Sequence, residues 1–397
     1  MRNGRPTVET DSPSGIDLGQ YQTEADNHGY VAQLTDIGSE DARKFLDVGI
    51  DTSGKDRSGT FIQKDRSVIH CHARLDGVEV MSISQAQQTH AWLSDYIWRA
   101  VDPDQDAFTA RAKAIPHEGY FIRSAPGQHV AEPVQACLYI AKERFSQNVH
   151  NVVIAEEGSR LQVITGCATS PHLVAGLHVG VSEFYVKRGA QLHFTMIHDW
   201  GQKVNVRPRT VVHVEAGGVF VSNYISLKPV GSLQMNPITY LDGEGAVARF
   251  NSVLVAAKGC HMDVGSRVVL NAPGTRAEII SRAIAAGGTI IARGELIGKV
   301  AGVKAHLECK GLILKEGLMH AIPELRGYMP GVEMSHEAAV GKIDQAEIEY
   351  LMARGVDEEE AVSMIVRGFL NVDIEGLPAG LRQKIDRIIH ETQKDMM

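Results

Sequence analysis

Cysteine is sparse in this sequence and nowhere clustered. The five thiols, Cys71, Cys137, Cys167, Cys260 and Cys309, are odd in number and widely scattered. That scatter excludes the closely spaced runs that hold a ferredoxin-type cluster and the paired CxxC halves of a zinc ribbon, and it fits reduced, unpaired thiols. Any metal handled by such a chain needs a sparse, open or shared site. Long apolar runs are missing as well. None approaches the ~18–20 residues that span a bilayer. The opening stretch "MRNGRPTVETDSPSGIDLGQ" lacks the apolar core of a signal peptide, so the expectation is a cytoplasmic protein. Cations are outnumbered, 40 Lys and Arg against 48 Asp and Glu. No surplus remains to replace phosphate counterions, which argues against general nucleic-acid binding.

Several catalytic motifs are absent in an informative way. "HEAAV" (336–340) starts like a zinc-protease helix, but Val340 stands where the second imidazole is needed. "AVGKID" starts like a phosphate loop. His336 occupies the position of its first glycine, and Ile343 that of its Ser or Thr. No G-x-S-x-G elbow supports acyl transfer.

What is present divides into three zones. The chain has 397 residues at 44% hydrophobic, too long for one ordinary core. Zone one, 1–110, begins polar. "GTFIQKDRSVIHCHARLDGVEVMSIS" then reads as short strands with a turn at Asp76-Gly77. "SISQAQQTHAWLSDYIWRAV" (82–101) reads as an amphipathic helix with Leu93, Ile97 and Val101 on its apolar stripe. Zone two, 111–332, is rich in Val, Ile, Gly and Thr. A turn glycine followed by an alternating strand recurs at Gly158, Gly189, Gly218, Gly245 and Gly274. A period of about 30 residues is the mark of a solenoid, here a β-helix, with an irregular sandwich as the alternative. Zone three, 333–397, reads as helical. Asp344 with Glu347 and Asp357 with Glu360 make two capping boxes, and Pro378 precedes a last helix carrying Leu381, Ile385, Ile388 and Ile389.

Three positions carry candidate chemistry. His336 and Glu337 sit side by side in "VEMSHEAAVGKID" (332–344). The plain reading has Glu337 favouring the coming helix and His336 packing on the solenoid end. The functional reading makes them iron ligands or a proton-handling pair. In "KAHLECKGLIL", alternation puts Cys309 on one face with Leu307 and puts His306 and Glu308 on the other. It is either a core thiol or a ligand and sulfur acceptor, the latter needing exposure and a lowered pKa. Cys167, with His172 and His178 nearby in sequence, reads as structural.

The stretches "TRAEIISRAIAAGGTIIARGELIG", "AHLECKGLIL", "AIPEL", "SHEAAVGKID" and "IEYLMARGVDEEEAVSMIVRGF" together resemble the SufB/SufD family, the scaffold proteins of the SUF iron–sulfur cluster assembly system. The middle segments "HNVVIAEEGSRLQVITGC" and "SLKPVGSLQMNPITYLDGEG" share the likeness, and the short N-terminal zone is similar to compact archaeal-type members. The resemblance implies a mainly β fold, a right-handed parallel β-helix flanked by helical N- and C-terminal parts. It implies a non-catalytic scaffold that dimerises through the β-helix, with itself or with a SufB/SufD paralogue. It implies a SufC-type ABC ATPase docked on the C-terminal helices, and a nascent iron–sulfur cluster at the dimer interface. On this likeness His336, Glu337 and Cys309 are the candidate metal and cluster ligands. SufB-type chains carry cysteines where this chain has Gly327 and Thr239, which puts a SufB-style sulfur relay in doubt. The alternative is a SufD-like adaptor that recruits iron and holds no cluster. A β-helix carbohydrate enzyme would need an Asp/Glu ladder along one exposed face, and the repeats show none.

Overall fold

The computed structural model describes residues 15–370. Its body is a parallel β-solenoid of about eight coils, built from one ten-stranded and one twelve-stranded sheet. All strand pairings between coils are parallel, and one isolated bridge, Ala257 with Gly287, is antiparallel. The two antiparallel pairs lie at the N-terminal end, Gly59–Lys64 with Ser67–Ala73 and Val78–Ser82 with Tyr120–Ser124.

The glycine repeat is the turn that ends each coil. Gly158, Gly189, Gly217, Gly245, Gly274, Gly302 and Gly331 all take positive φ between 64° and 79°, a region that glycine enters without a Cβ clash. The turns also bond to one another. The amide of Gly158 donates to the Arg188 carbonyl, that of Gly189 to Ala216 and that of Gly217 to Glu244, each at 2.9 Å. In the third coil the left-handed residue is Gly217, not Gly218. Gly218 is there for space, since a Cβ on it would meet the Glu215 carbonyl oxygen at 2.9 Å.

Strand alternation sends one set of side chains into the lumen and the other outward. The lumen holds the largest apolar core, from Phe61 and Tyr120 through Phe184, Phe194 and Phe220 to Leu307 and Cys309. The outer face of the ten-stranded sheet carries a second cluster. Helix α1 (Ser39–Asp47) contributes Phe45 to it, and the C-terminal helix Glu358–Leu370 contributes Val366 and Leu370. Stretch 83–114 lies on the outer face of the other sheet, where Leu93 and Val101 are buried.

The helix expected over 82–101 is shorter than its apolar pattern suggests. Helix α2 (Ile83–Thr89) is followed by a 3-10 turn over Ala91–Asp95, and Trp98 takes a φ of 57°. The cause is Glu183. Its buried carboxylate accepts from the backbone N–H groups of Trp98, Arg99, Ala100 and Val101. Those amides are thereby withdrawn from helical bonding. Helix α3 (Ala107–Ala114) follows, with a capping box from Asp106 and Thr109.

At the other end, residues Val332–Gly341 form a strand, and helix begins only at Gln345. Helix α4 (Gln345–Met352) is capped by Asp344, which accepts from the Ala346 amide, and Gly355 lies just beyond it at a φ of 90°. Helix α5 (Glu358–Leu370) is capped by Asp357. The stretch 381–390 lies outside the described residues. Among the described residues, no helix is long and apolar enough to cross a membrane.

Candidate functional site

The three candidate residues fall on two adjacent strands at the C-terminal end of the solenoid. Strand Val303–Leu314 pairs in parallel with Val332–Gly341, placing Leu307 opposite His336, Glu308 opposite Glu337 and Cys309 opposite Ala338. The register is unbroken, so alternation decides which way each residue points. Val332 and Met334 pack on the lumen core, and Leu307 and Cys309 belong to it. His336 continues that inner column. Glu337 belongs to the outer one, where Lys304 meets Glu333 at 2.8 Å and His306 meets Ser335 at 2.8 Å. His336 and Glu337 therefore leave the strand on opposite faces, whereas His336 and Cys309 share a face as diagonal neighbours.

His336 is exposed because, among the described residues, its strand is the last of its sheet. Strand Leu318–Gly327 ends the other sheet in the same way, pairing only with Thr289–Gly298 among the described residues. Among the described residues, the solenoid thus ends in two strand edges whose outer backbone groups have no strand partner. Leu318, Tyr328, Met329 and Val340 are large apolar side chains exposed around them. Such an edge is a template for pairing with another chain.

Glu337 sits in an ion network. Its carboxylate lies 3.2 Å from the Lys310 ammonium, Lys310 also reaches Glu308 at 3.3 Å, and Glu308 pairs with Arg282. Partial burial opposes ionisation of Glu308, but the Arg282 and Lys310 cations outweigh it and hold its carboxyl below the usual range. The sequence signal for this network is the alternation of opposite charges at Arg282, Glu308, Lys310 and Glu337.

Four of the five thiols are buried, and Cys71 is partly buried against the lumen core. Cys309 is fully buried, and burial, with the Glu308 charge adding to it, pushes its pKa up to about 11. Burial pushes Cys71 up to about 12 and raises Cys137, Cys167 and Cys260 as well. A thiolate, the form that ligates metal or attacks sulfur, is disfavoured at every one of these positions. His172 and His178 do not converge on Cys167. His172 is exposed near Glu40, while His178 stacks on Trp200 in the lumen with burial lowering its pKa to about 3. The residue in register with Cys167 is His198, whose Nδ1 is hydrogen-bonded to the Tyr224 hydroxyl at 2.8 Å. Among the described residues, no three His, Cys, Asp or Glu side chains converge as a metal-holding group within one chain.

Thr239 and Gly327, which the family resemblance sets against cysteines, have different surroundings. Thr239 is fully buried, and its hydroxyl has no hydrogen-bond partner among the described residues. Gly327 is exposed at the strand edge. A Cβ there would meet only Val332 and Met334 at 3.4 Å or more, so a side chain fits.

The sequence model described as "SUF system FeS cluster assembly, SufBD core domain" matches residues 138–369. That span runs from the first full coils through the terminal strands to α5. The chain belongs to the SufBD family. An iron-sulfur cluster assembly SufBD family protein of Archaeoglobus fulgidus is 51% identical over 90% of this chain and 96% of its own length. A relative of the same description from Methanothermobacter thermautotrophicus is 45% identical over 96% and 95%. The iron-sulfur cluster assembly protein SufB of Bacillus subtilis is 31% identical over 73% of this chain and 63% of its own. As a SufBD protein the chain has its role in the iron–sulfur cluster assembly machinery, as a scaffold and not an enzyme.

Proposed function

We propose that this SufBD chain is an adaptor: a solenoid that dimerises through its C-terminal strand edges, recruits iron and carries a SufC-type ATPase, without holding a complete cluster on its own thiols. One observation carries this reading. All five cysteines are raised in pKa by burial, so a single chain offers no poised thiolate for a cluster or for sulfur transfer.

In this reading His336 is the iron-contacting group. It is exposed, lies on the inner face and sits at the edge where a second copy or a paralogue adds its own donors. Glu337 and Cys309 are weaker ligand candidates. Glu337 faces the other way and already has Lys310, and Cys309 would have to come out of the core. Cluster hosting is the second reading. It is favoured by the shared face of His336 and Cys309, which a rearranged dimer interface could bring to one cargo. The ATPase would bind in the cytoplasm on the outer side of α4 and α5, around Tyr350, Leu351 and Ile365, which border a shallow open hollow.

The deciding experiment is anaerobic co-expression with the cognate ATPase, followed by iron and sulfide analysis and Mössbauer spectroscopy. The adaptor reading expects iron without stoichiometric sulfide and no cluster quadrupole doublet. A sulfide-matched cluster signal that is lost in Cys309→Ala would replace it with the hosting reading.

A further inference from the structure

A groove of about 430 Å³ runs between the residues leading into α3 and the outer face of the twelve-stranded sheet, as far as the terminal strand Leu318–Gly327. Gln105 and Asp106 form one wall. Four guanidinium groups line the rest, Arg209, Arg267, Arg293 and Arg326. Each has a carboxylate. Arg209 Nε lies 2.6 Å from Asp106, Arg293 grips Asp263 through two nitrogens at 2.5 and 3.0 Å, Arg267 bonds Glu295, and Arg326 bonds Glu324 at 3.0 Å.

The pairing leaves donors over. A guanidinium presents five N–H groups in a flat fork. Arg267 uses only Nε on Glu295, so among the described residues both of its terminal nitrogens are unspent. Arg293 keeps one terminal nitrogen, and Arg326 keeps Nε and one terminal nitrogen. The side-chain amides of Gln234 and Asn236 border the same space.

Charge is left over too. Arg207 is buried beside this groove. Its guanidinium bonds the Val206 and Ser232 carbonyls and the Ser232 hydroxyl. Among the described residues no carboxylate pairs with it. Desolvation, and next the nearby Arg209 charge, lower its pKa to about 10. Phe108 lies between the two cations, 5.7 Å from Arg207 and 5.3 Å from Arg209. A buried cation without a counter-charge is costly, and an anion seated nearby offsets that cost. The lining is thus balanced in charge, while beside it, among the described residues, stands one buried cation that has no ion-paired carboxylate and feels Asp263 only at longer range, together with a surplus of forked donors.

We propose that this groove is a binding site for a small multivalent oxyanion, of the phosphate or polycarboxylate class, held by the free guanidinium nitrogens of Arg267, Arg293 and Arg326. Forked N–H pairs match the paired oxygens of a phosphate or carboxylate, which gives both energy and orientation. The volume suits a small molecule at the lower end of ordinary ligand sites, and the position, between a packed segment and a sheet, is where such sites form. The site takes in Arg326 of the terminal strand Leu318–Gly327, but on the outer face of that sheet, apart from the inward His336 and from α4 and α5, so a ligand here would act alongside assembly rather than as its cargo.

Isothermal titration calorimetry on the full-length chain tests this, in a chloride buffer of low, matched ionic strength. Pyrophosphate and citrate are the two probes, and the tighter one assigns the class. The expected result is saturable one-to-one binding of at least one probe, weakened about tenfold or more in Arg267→Gln and in Arg326→Gln, the scale of one lost charge-assisted bond. Arg249→Gln, on the other sheet, should bind like the parent. Both groove variants keep the Arg293–Asp263 pair, and circular dichroism melts confirm that they fold. Absence of saturable binding by either probe overturns the proposal, and so does equal weakening in Arg249→Gln.

Discussion

His336 and Glu337 are adjacent in sequence, yet they project from opposite faces of one strand, His336 toward the lumen column and Glu337 toward Lys310 at 3.2 Å. Two residues arranged in this way cannot grip one ion from one chain. Their substitutions should therefore act independently. His336→Ala should lower iron recovered with the purified complex and leave the melting temperature unchanged. Glu337→Gln should cost at most about 1 kcal/mol of stability, because its ion pair is largely exposed, and should leave iron nearly intact. The double variant should show both effects added. Iron recovery in the double variant no worse than in His336→Ala, combined with a large loss in Glu337→Gln alone, would mean that a dimer brings both residues to one site after all.

Cys309 gives a pH prediction. Its folded pKa, about 11, lies above the ordinary thiol value of 9.0. The protonated thiol is thus the form that the fold favours. Its contribution to stability is fully present below pH 9 and is lost as pH rises toward 11. Denaturant midpoints measured from pH 8 to 11 should fall with pH, and Cys309→Ala should flatten part of that slope while lowering the plateau. Alkylation of Cys309 at pH 8, followed by mass spectrometry, should be slow in the folded protein and fast in urea. Rapid labelling of the folded chain would show that the thiol leaves the core and would favour a ligand role.

The coil period, the inward face of Cys309 and the capped C-terminal helices were legible in the sequence, because each is a local pattern: a glycine every 28–31 residues, strict alternation, a cap ahead of an apolar stripe. The family likeness rested on the same stretches. Other features were not legible, because their causes lie far away along the chain. The 82–101 stripe did predict that Leu93 and Val101 are buried. Nothing in it announced that Glu183, more than eighty residues on, would take four of its amides. The arginine groove joins Asp106 to Arg209 and Arg267 to Glu295, contacts that exist only once the coils are stacked. The strand at 332–341 was hidden for another reason. At a sheet edge one flank is open, so its apolar alternation fades after Met334.

Glu183 supplies the next prediction. It is fully buried on strand Ala175–Val186 and accepts a bond from His150 Nε2 at 2.7 Å besides those four amides. Burial opposes its ionisation, but the His150 bond and charge and the backbone amides outweigh that and hold its carboxyl below the ordinary value. A lowered carboxyl pKa stabilises the fold above the ordinary carboxylate range and ceases to do so as pH falls through the folded value. Glu183→Gln removes the charge that four amides and an imidazole point at, at a cost of roughly 3–5 kcal/mol. Hydrogen exchange should show amides 98–101 losing protection first, in the variant at pH 7 and in the parent in acid. Uniform loss of protection across the solenoid would show instead that Glu183 supports the whole sheet.

Gly327 tests whether cluster hosting is a matter of one missing thiol. The position is exposed at the terminal edge, and a side chain there meets only ordinary contacts with Val332 and Met334. Gly327→Cys should fold with an unchanged melting temperature. If it raises sulfide bound per iron after anaerobic co-expression, the edge geometry already suits a cluster and the parent lacks only the ligand. An unchanged ratio would show that the edge itself, and not the missing thiol, sets the adaptor role.

The last prediction concerns the partner surface. Phe369 lies on the apolar stripe of α5, one of the helices on which the family likeness implies ATPase docking. In the fold Phe369 and Val362 pack, half-buried, against the outer face of the ten-stranded sheet, next to the buried Val366 and Leu370. That stripe is spent within the chain. Phe369→Asp should therefore lower stability, through a charge placed against an apolar cluster, and any loss of ATPase binding in it would be ambiguous. The large apolar side chains exposed on these helices are Met352, Met364 and Tyr350, the last 57% exposed with the Arg354 guanidinium 4.6 Å from its ring centre. An exposed tyrosine beside the hollow that Leu351 and Ile365 border has the features of an interface anchor: a large apolar body, a polar tip and a pocket next to it. Tyr350→Asp should leave the unfolding free energy within about 0.5 kcal/mol of the parent, as surface substitutions do, and should abolish co-purification with the ATPase. Surface plasmon resonance of both variants against the isolated ATPase separates the cases. Undiminished affinity in Tyr350→Asp with loss confined to Phe369→Asp would mean that α5 must leave the solenoid to bind, and that its inward stripe is the true docking face.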